Sequence, residues 1–188
     1  MSAKTEEQYD RAIAGCAEVF VKKNEDYGPS WRVLRVSSLI DQLYIKAKRI
    51  RTIEEKKTQK IEDDFESEFR GLINYCAMTL IQLEIGPKDL SSGDTNEFEG
   101  LKKLYEKQLQ TARALMLNKN HDYGEVWRDM WVSSYTDLII TKLLRIRQII
   151  ENEGRTVVSE GIDSNLLDII NYSVFALIKF EEKHELSH

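Results

Sequence analysis

The sequence predicts an all-α fold built from two tandem helical repeats, and three observations carry that prediction. The first is a phrase used twice: Lys23-Asn24-Glu25-Asp26-Tyr27-Gly28-Pro29-Ser30-Trp31-Arg32 returns as Lys119-Asn120-His121-Asp122-Tyr123-Gly124-Glu125-Val126-Trp127-Arg128. The offset of 96 holds through Arg51 and Arg147, with 15 of 29 positions identical from Lys23 to Arg51, and becomes 97 where Ile73-Asn74-Tyr75 returns as Ile170-Asn171-Tyr172. The second is that apolar residues recur at helical spacing over long stretches, whereas period-two alternation is confined to Thr156-Val157-Val158. The third is the size of the duplicated unit, about 85 residues, which far exceeds a solenoid repeat and favours two halves packed on one another. The expected architecture is a pseudo-two-fold pair of repeats, 1–86 and 97–188, joined by a linker over 87–96 and packed into one bundle-like unit.

Taken in order, the first helix is expected from Thr5 to Lys22. Tyr9, Ala12, Ile13, Cys16, Val19 and Phe20 form one apolar stripe, and Thr5 suits an N-cap followed by Glu6 and Glu7. The helix should end near Asn24, because Asp26 and Gly28 favour a turn and Pro29 cannot continue an α-helix, so the repeated phrase reads as a helix exit. A second helix is expected from Ser37 or Ser38 to Lys57, with Leu39, Ile40, Leu43, Ala47, Ile50 and Ile53 inward. The mixed-charge run Glu54–Lys60 reads as a loop or a frayed end.

A third helix, Asp63–Ile85, carries apolar residues around most of its circumference and should sit centrally in its half. Gly86-Pro87 stops it, and Ser91-Ser92-Gly93-Asp94 marks the linker. The second half repeats the plan with helices over Glu97–Asn118, Ser133–Asn152 and Ser164–Lys183, and a loop containing Gly154 and Gly161.

Composition narrows the function classes. A net charge of −5 with 31% charged residues lacks the basic excess that gripping duplex nucleic acid requires, so a duplex partner is disfavoured. Cys16 and Cys76 lie on apolar helical faces without CxxC spacing and read as reduced, buried thiols. No apolar run reaches the ~18 residues of a membrane span and the N-terminus has no signal-like apolar region, so a cytoplasmic, non-membrane protein is expected.

Three sets of residues could carry chemistry. In the exit phrase, Tyr27 and Trp31 could stack on a base, Lys23 and Arg32 could hold a phosphate beside Asp26, and Gly28 lets backbone approach closely; Lys119, Asp122, Tyr123, Trp127 and Arg128 repeat the set. The same residues admit a structural reading, with Gly28 as a left-handed cap, Trp31 as a core plug and Arg32 as its lid.

The second helix supplies Asp41, Lys46, Arg49 and Arg51, repeated as Asp137, Lys142, Arg145 and Arg147. Charges facing a core need partners, either carboxylates of the third helix or an anionic ligand, and the set as a whole favours a phosphate-binding patch. The third helix supplies Asp63, Asp64, Glu66 and Glu68 in one half and Asp163 and Asp168 in the other. Asn74 and Asn171 sit in apolar runs, so each amide must be hydrogen-bonded across the two-fold or to a ligand. His121, His184 and His188 are not placed alike in the two halves, and GxSxG, P-loop, GxGxxG and HExxH patterns are all missing.

In K-N-x-D-Y-G-x-x-W-R, in the K-x-x-R-I-R from Lys46 to Arg51 and in the I-N-Y of the third helix, the chain resembles a bacterial family named the nucleotide modification associated domain, the first of that series. The resemblance covers both halves and implies an association with nucleotide or base modification. More distantly, a basic helical flank followed by an acidic helix is similar to the MazG-like all-α NTP pyrophosphatases, which hold magnesium with Glu and Asp from two helices. The chain departs from the related pattern at Ile45 and Thr141, where an Asp often precedes the lysine. Its ExxD-like pair is split between Glu68 with Gly71 and Asn165 with Asp168.

Two expectations follow. One is a magnesium-dependent, pyrophosphatase-like enzyme acting on a small-molecule nucleotide, with Asp41, Glu68, Asp137 and Asp168 as a composite metal site and the lysines and arginines on the phosphates. The other is a non-catalytic nucleotide-binding or assembly module in which the repeated residues serve structure. Self-association as a homo-oligomer is compatible with both.

Overall fold

The computed structural model describes residues 3–56, 65–88, 97–155 and 160–186. Among them the chain forms six α-helices: α1 (Ala3–Tyr27), α2 (Val36–Lys56), α3 (Phe65–Ile85), α4 (Glu97–Tyr123), α5 (Val132–Glu151) and α6 (Ile162–Glu185). A short 3₁₀ turn precedes α2 (Ser30–Val33) and another precedes α5 (Val126–Asp129). The two halves therefore repeat one plan of helix, 3₁₀ turn, helix, helix. None of these helices is long and apolar enough to cross a membrane. Asp63, Asp64, Thr156-Val157-Val158, His188 and most of the expected linker lie outside the described residues.

The helix ends differ from the sequence expectation. α1 does not stop near Asn24 but runs to Tyr27, and α4 runs to Tyr123 rather than Asn118. The Asn24 amide donates to the Phe20 carbonyl one turn back at 2.7 Å, a bond made within the helix rather than to a turn. The break falls at Gly28 and Gly124, whose φ values of 68° and 67° are left-handed, and there the chain turns into the 3₁₀ segment. The repeated phrase is thus a last helical turn, a glycine exit and a 3₁₀ turn. α2 starts at Val36, which places Ser37 and Ser38 inside the first turn rather than at the cap.

α3 and α6 pack on each other at the centre, α2 lies against α3, α5 lies against α6, and α2 meets α5. α1 and α4 cover this group, each touching α3, α6 and one another. One continuous apolar core results, to which both halves contribute, from Phe20, Leu43 and Ile73 to Ile139, Leu166 and Val174. This follows from the sequence: α3 and α6 are apolar on nearly every face and can only be central, whereas the single stripes of the other helices face inward.

Equivalent residues exchange contacts across the halves. Tyr9 of α1 donates its hydroxyl to Asn171 Oδ1 of α6 at 2.6 Å, and Tyr105 of α4 donates to Asn74 Oδ1 of α3, also at 2.6 Å. The amide nitrogens donate to the carbonyls of Cys16 and Ala112. Arg51 faces Asp137 at 3.6 Å, and Arg147 faces Asp41 at 3.7 Å. The exit turns are clasped from the central helices by another equivalent pair. Gln82 Nε2 donates to the Arg32 and Leu34 carbonyls, and Lys179 Nζ donates to those of Arg128 and Met130.

Candidate functional site

The clasped exit turn of the first half stands beside a cavity of about 670 Å³, within the size range of small-molecule sites. α1 contributes Phe20, Lys23, Asn24 and Tyr27, the 3₁₀ turn contributes Trp31, and Lys46 comes from α2. α3 closes the floor with Glu68, Gly71, Asn74, Tyr75 and Met78. The lining carries three cations, Lys23, Lys46 and Arg70, against one carboxylate, Glu68, on a chain that is acidic as a whole. Four aromatic side chains, Phe20, Tyr27, Trp31 and Tyr75, supply flat apolar surface, and the Lys46 ammonium lies 5.7 Å from the Tyr75 ring centroid.

Local physics explains these placements. Tyr27 is the last residue of α1 and is 60% exposed, so it stands at the rim, whereas Trp31 is only 8% exposed and packs against Phe20. Burial raises the pKa of the Tyr75 phenol, which therefore stays neutral. Among the described residues, two polar atoms of the lining are buried without a partner: the Asn24 side-chain oxygen, an acceptor, and the Trp31 indole nitrogen, a donor. Such groups cost roughly 1–3 kcal/mol each when left unsatisfied.

Several sequence candidates are already committed. Arg32 is 3% exposed and donates to the Gly86 carbonyl at 2.7 Å beside Glu97, with its guanidinium 5.5 Å from the Trp31 ring centroid. Arg128 binds Glu125, Glu182, Thr5 and Gln8. Asn74 and Asn171 are taken up by the tyrosine exchange between halves. Asp26 and Asp122 are exposed on the last turns of α1 and α4, and Asp122 meets His121 at 3.1 Å. Arg51, Arg147, Asp41 and Asp137 face one another where α2 meets α5. The sequence reading passed over Asn24, Gly71 and Met78 as lining residues. For Gly71 and Met78 the signal is the mismatch between repeats, where Gly71 corresponds to Asp168 and Met78 to Phe175, whereas Asn24 is matched by Asn120 and carries no such signal.

In the second half the equivalent space is differently furnished. Phe175 stacks on Trp127 with centroids 4.3 Å apart and planes 6° from parallel, and the Arg128 guanidinium lies 4.4 Å from the same ring. Lys119 and Lys142 both donate to Asp168, at 2.5 and 2.6 Å. Asn165 stands where the first half has Glu68, and Arg145, the counterpart of Arg49, makes no hydrogen bond or ion pair among the described residues and lies near Tyr172.

A magnesium site built from the four named carboxylates does not fit this arrangement. Glu68 accepts from Lys46 at 3.3 Å and from Arg49, so both of its oxygens are engaged. Asp168 is engaged in the same way by its two lysines. Asp41 and Asp137 are largely exposed and belong to the α2–α5 ion pairs. Among the described residues no three His, Cys, Asp or Glu side chains come together to hold a metal, whereas a hard divalent cation needs several free oxygens at one point. The cause is electrostatic: within each half the basic flank of α2 or α5 reaches the carboxylate first.

Comparison with known proteins agrees with the internal duplication. The profile of a family described as Nucleotide modification associated domain 1 matches twice, over residues 23–83 and 119–180, which together make up most of the chain. No curated protein and no solved structure matches it.

Proposed function

The chain belongs to the nucleotide modification associated domain 1 family, and from that premise we propose that its first-half cavity binds a small nucleotide, with the base toward Tyr27, Trp31 and Tyr75 and the phosphate toward Lys23 and Lys46. The observation that carries the proposal is the coincidence, on one cavity wall, of aromatic surface, a cationic excess and the unpartnered Asn24 oxygen. Aromatic faces take up a base by stacking, worth about 1–3 kcal/mol per base. An unpartnered acceptor gives a base edge something to donate to, and ammonium groups hold a phosphoryl group by charge-assisted hydrogen bonds. The second half, with its indole covered and its lysines paired, serves as a structural counterpart.

The proposal is of binding. Hydrolysis by a metal-activated water forms no part of it, because the carboxylates that would hold the metal are already neutralised by lysine and arginine.

Thermal unfolding of the chain with nucleoside mono-, di- and triphosphates, each with magnesium and with EDTA, tests this. A ligand at a hundred times its Kd adds about 2.7 kcal/mol, which for a chain of this size raises Tm by roughly 5–11 °C. The expected result is such a rise with at least one nucleotide, the same in EDTA. No rise with any of them at millimolar concentration sinks the binding claim, and a rise that requires magnesium overturns the metal-free reading.

A further inference from the structure

At one point of α3 and α6 the two halves place their carboxylate differently, at Glu68 in the first and at Asp168, one turn later in the repeat, in the second. Lys119 and Lys142, the counterparts of Lys23 and Lys46, converge on the two oxygens of Asp168, a nearly buried carboxylate. In the register of the repeat, Asp168 corresponds to Gly71, which has no side chain. The acid of the first half, Glu68, lies one turn earlier on α3 and draws Lys46 and Arg49 instead. Lys23 is left without a polar partner among the described residues, exposed at the rim of the cavity that Gly71 also lines.

We propose that the space over Gly71 is an anion subsite in which a phosphoryl group of the ligand stands where the second half has its own Asp168 carboxylate, held by Lys23 and Lys46. The inference rests on the nucleotide reading above and adds to it the position of the phosphate and a stoichiometry of one per chain. Three features support it beyond the register. A Cβ at position 71 would lie 2.9 Å from Lys46 Cε and 3.1 Å from its Nζ, so the flexible lysine arm lies over the glycine and swings aside onto the group that enters there. Lys46 holds Glu68 at 3.3 Å, looser than the 2.6 Å of Lys142 on Asp168, and Arg49 keeps Glu68 neutralised if Lys46 turns toward a ligand. A phosphoryl group also offers at least as many acceptor oxygens as the carboxylate it replaces. The second half is then occupied permanently by its own acid.

Lysine acylation followed by mass spectrometry, in EDTA and with inorganic phosphate as the probe, tests the subsite in the wild type, Gly71→Asp, Gly71→Ala and Asp168→Gly chains. In the wild type, phosphate at about ten times its Kd should slow acylation of Lys23 and Lys46 roughly tenfold, because the free fraction falls as 1/(1 + [L]/Kd), and should leave Lys119 and Lys142 unchanged. Gly71→Asp should protect Lys23 and Lys46 without phosphate, Gly71→Ala should keep their dependence on phosphate, and Asp168→Gly should make Lys119 and Lys142 dependent on it. Phosphate that leaves Lys23 and Lys46 unprotected in the wild type overturns the subsite. So does a folded Gly71→Asp chain whose Lys23 reacts as before. If Gly71→Asp does not fold, the Asp168→Gly arm decides by the same criterion. The nucleotide reading fails separately: phosphate protection that no nucleoside monophosphate improves keeps the subsite and removes the base pocket. Nucleotide protection of Tyr27 without protection of the lysines keeps the pocket and removes the subsite.

Discussion

Replacing Tyr105 by phenylalanine removes a single oxygen from the exchange that joins the halves. The hydroxyl donates to Asn74 Oδ1 at 2.6 Å in a fully buried setting, and burial pushes the phenol far above its usual acid range, so it acts as a donor at any working pH. The ring stacks on Phe20 with centroids 4.1 Å apart, a contact that phenylalanine keeps, so the substitution isolates the hydrogen bond. Leaving a buried amide oxygen unpaired costs about 1–3 kcal/mol, which for a chain of this length lowers Tm by roughly 4–8 °C at the middle of that range. Tyr9→Phe should cost about the same, because it strips Asn171 of the same partner. Adding Asn74→Leu to Tyr105→Phe should cost less than the two single substitutions summed, with a coupling of about 0.5–3 kcal/mol, since the second change removes the orphan that the first created. Urea or thermal unfolding of the four chains gives the cycle. Single-variant losses below about 0.5 kcal/mol with no coupling would refute the assignment of both asparagines to inter-half structure.

Other outcomes are as specific. Gly28→Ala and Gly124→Ala should each destabilise by about 1–2 kcal/mol in unfolding experiments, because both positions hold left-handed backbone. Arg51→Ala and Asp137→Ala should each change stability by less than about 1 kcal/mol, their pair being exposed, so a large loss would show that the α2–α5 seam depends on it. Burial raises the pKa of Glu54, whose carboxylate accepts from Thr136. The folded chain therefore holds the proton more tightly than the unfolded one, and this contribution is lost as pH rises from the ordinary glutamate range through the raised value. Glu54→Gln should flatten that decline and stabilise the chain at neutral pH, and an unchanged pH profile counts against the assignment. Cys16, its thiol pushed up to about 12 by burial, and Cys76, raised well above the usual range, should react with a thiol reagent only after unfolding. Rapid labelling of the native chain contradicts that burial.

The helices and their duplication were legible because apolar periodicity and repeat register are local properties of the sequence. The ends were not, because Asp26, Gly28 and Pro29 together pointed to an exit near Asn24, while the Asn24 amide bonds back within α1 and the break falls only at the glycine. That Asn74 and Asn171 need partners was legible from their apolar surroundings. Which partners they have was not, since Tyr9 and Tyr105 reach them only once the halves are packed. Among the described residues the expected metal cluster does not come together, because a lysine on α2 or α5 meets the carboxylate of its own half, and spacing along one helix does not reveal the reach of a side chain on the next. The exchange of Glu68 and Gly71 for Asn165 and Asp168 was visible from the start. Its meaning depended on knowing which two lysines meet over that position.

A titration in a chain whose Trp127 and Trp131 are replaced by phenylalanine tests the central claim most directly, because Trp31 is then the sole indole. Nucleoside monophosphates added in EDTA should change Trp31 fluorescence saturably, at one equivalent per chain, and Lys46→Met should weaken the response about tenfold, the loss of one charge-assisted contact. The account is contradicted by a Trp31 signal that no nucleotide moves at millimolar concentration, or by one that appears only when magnesium is present.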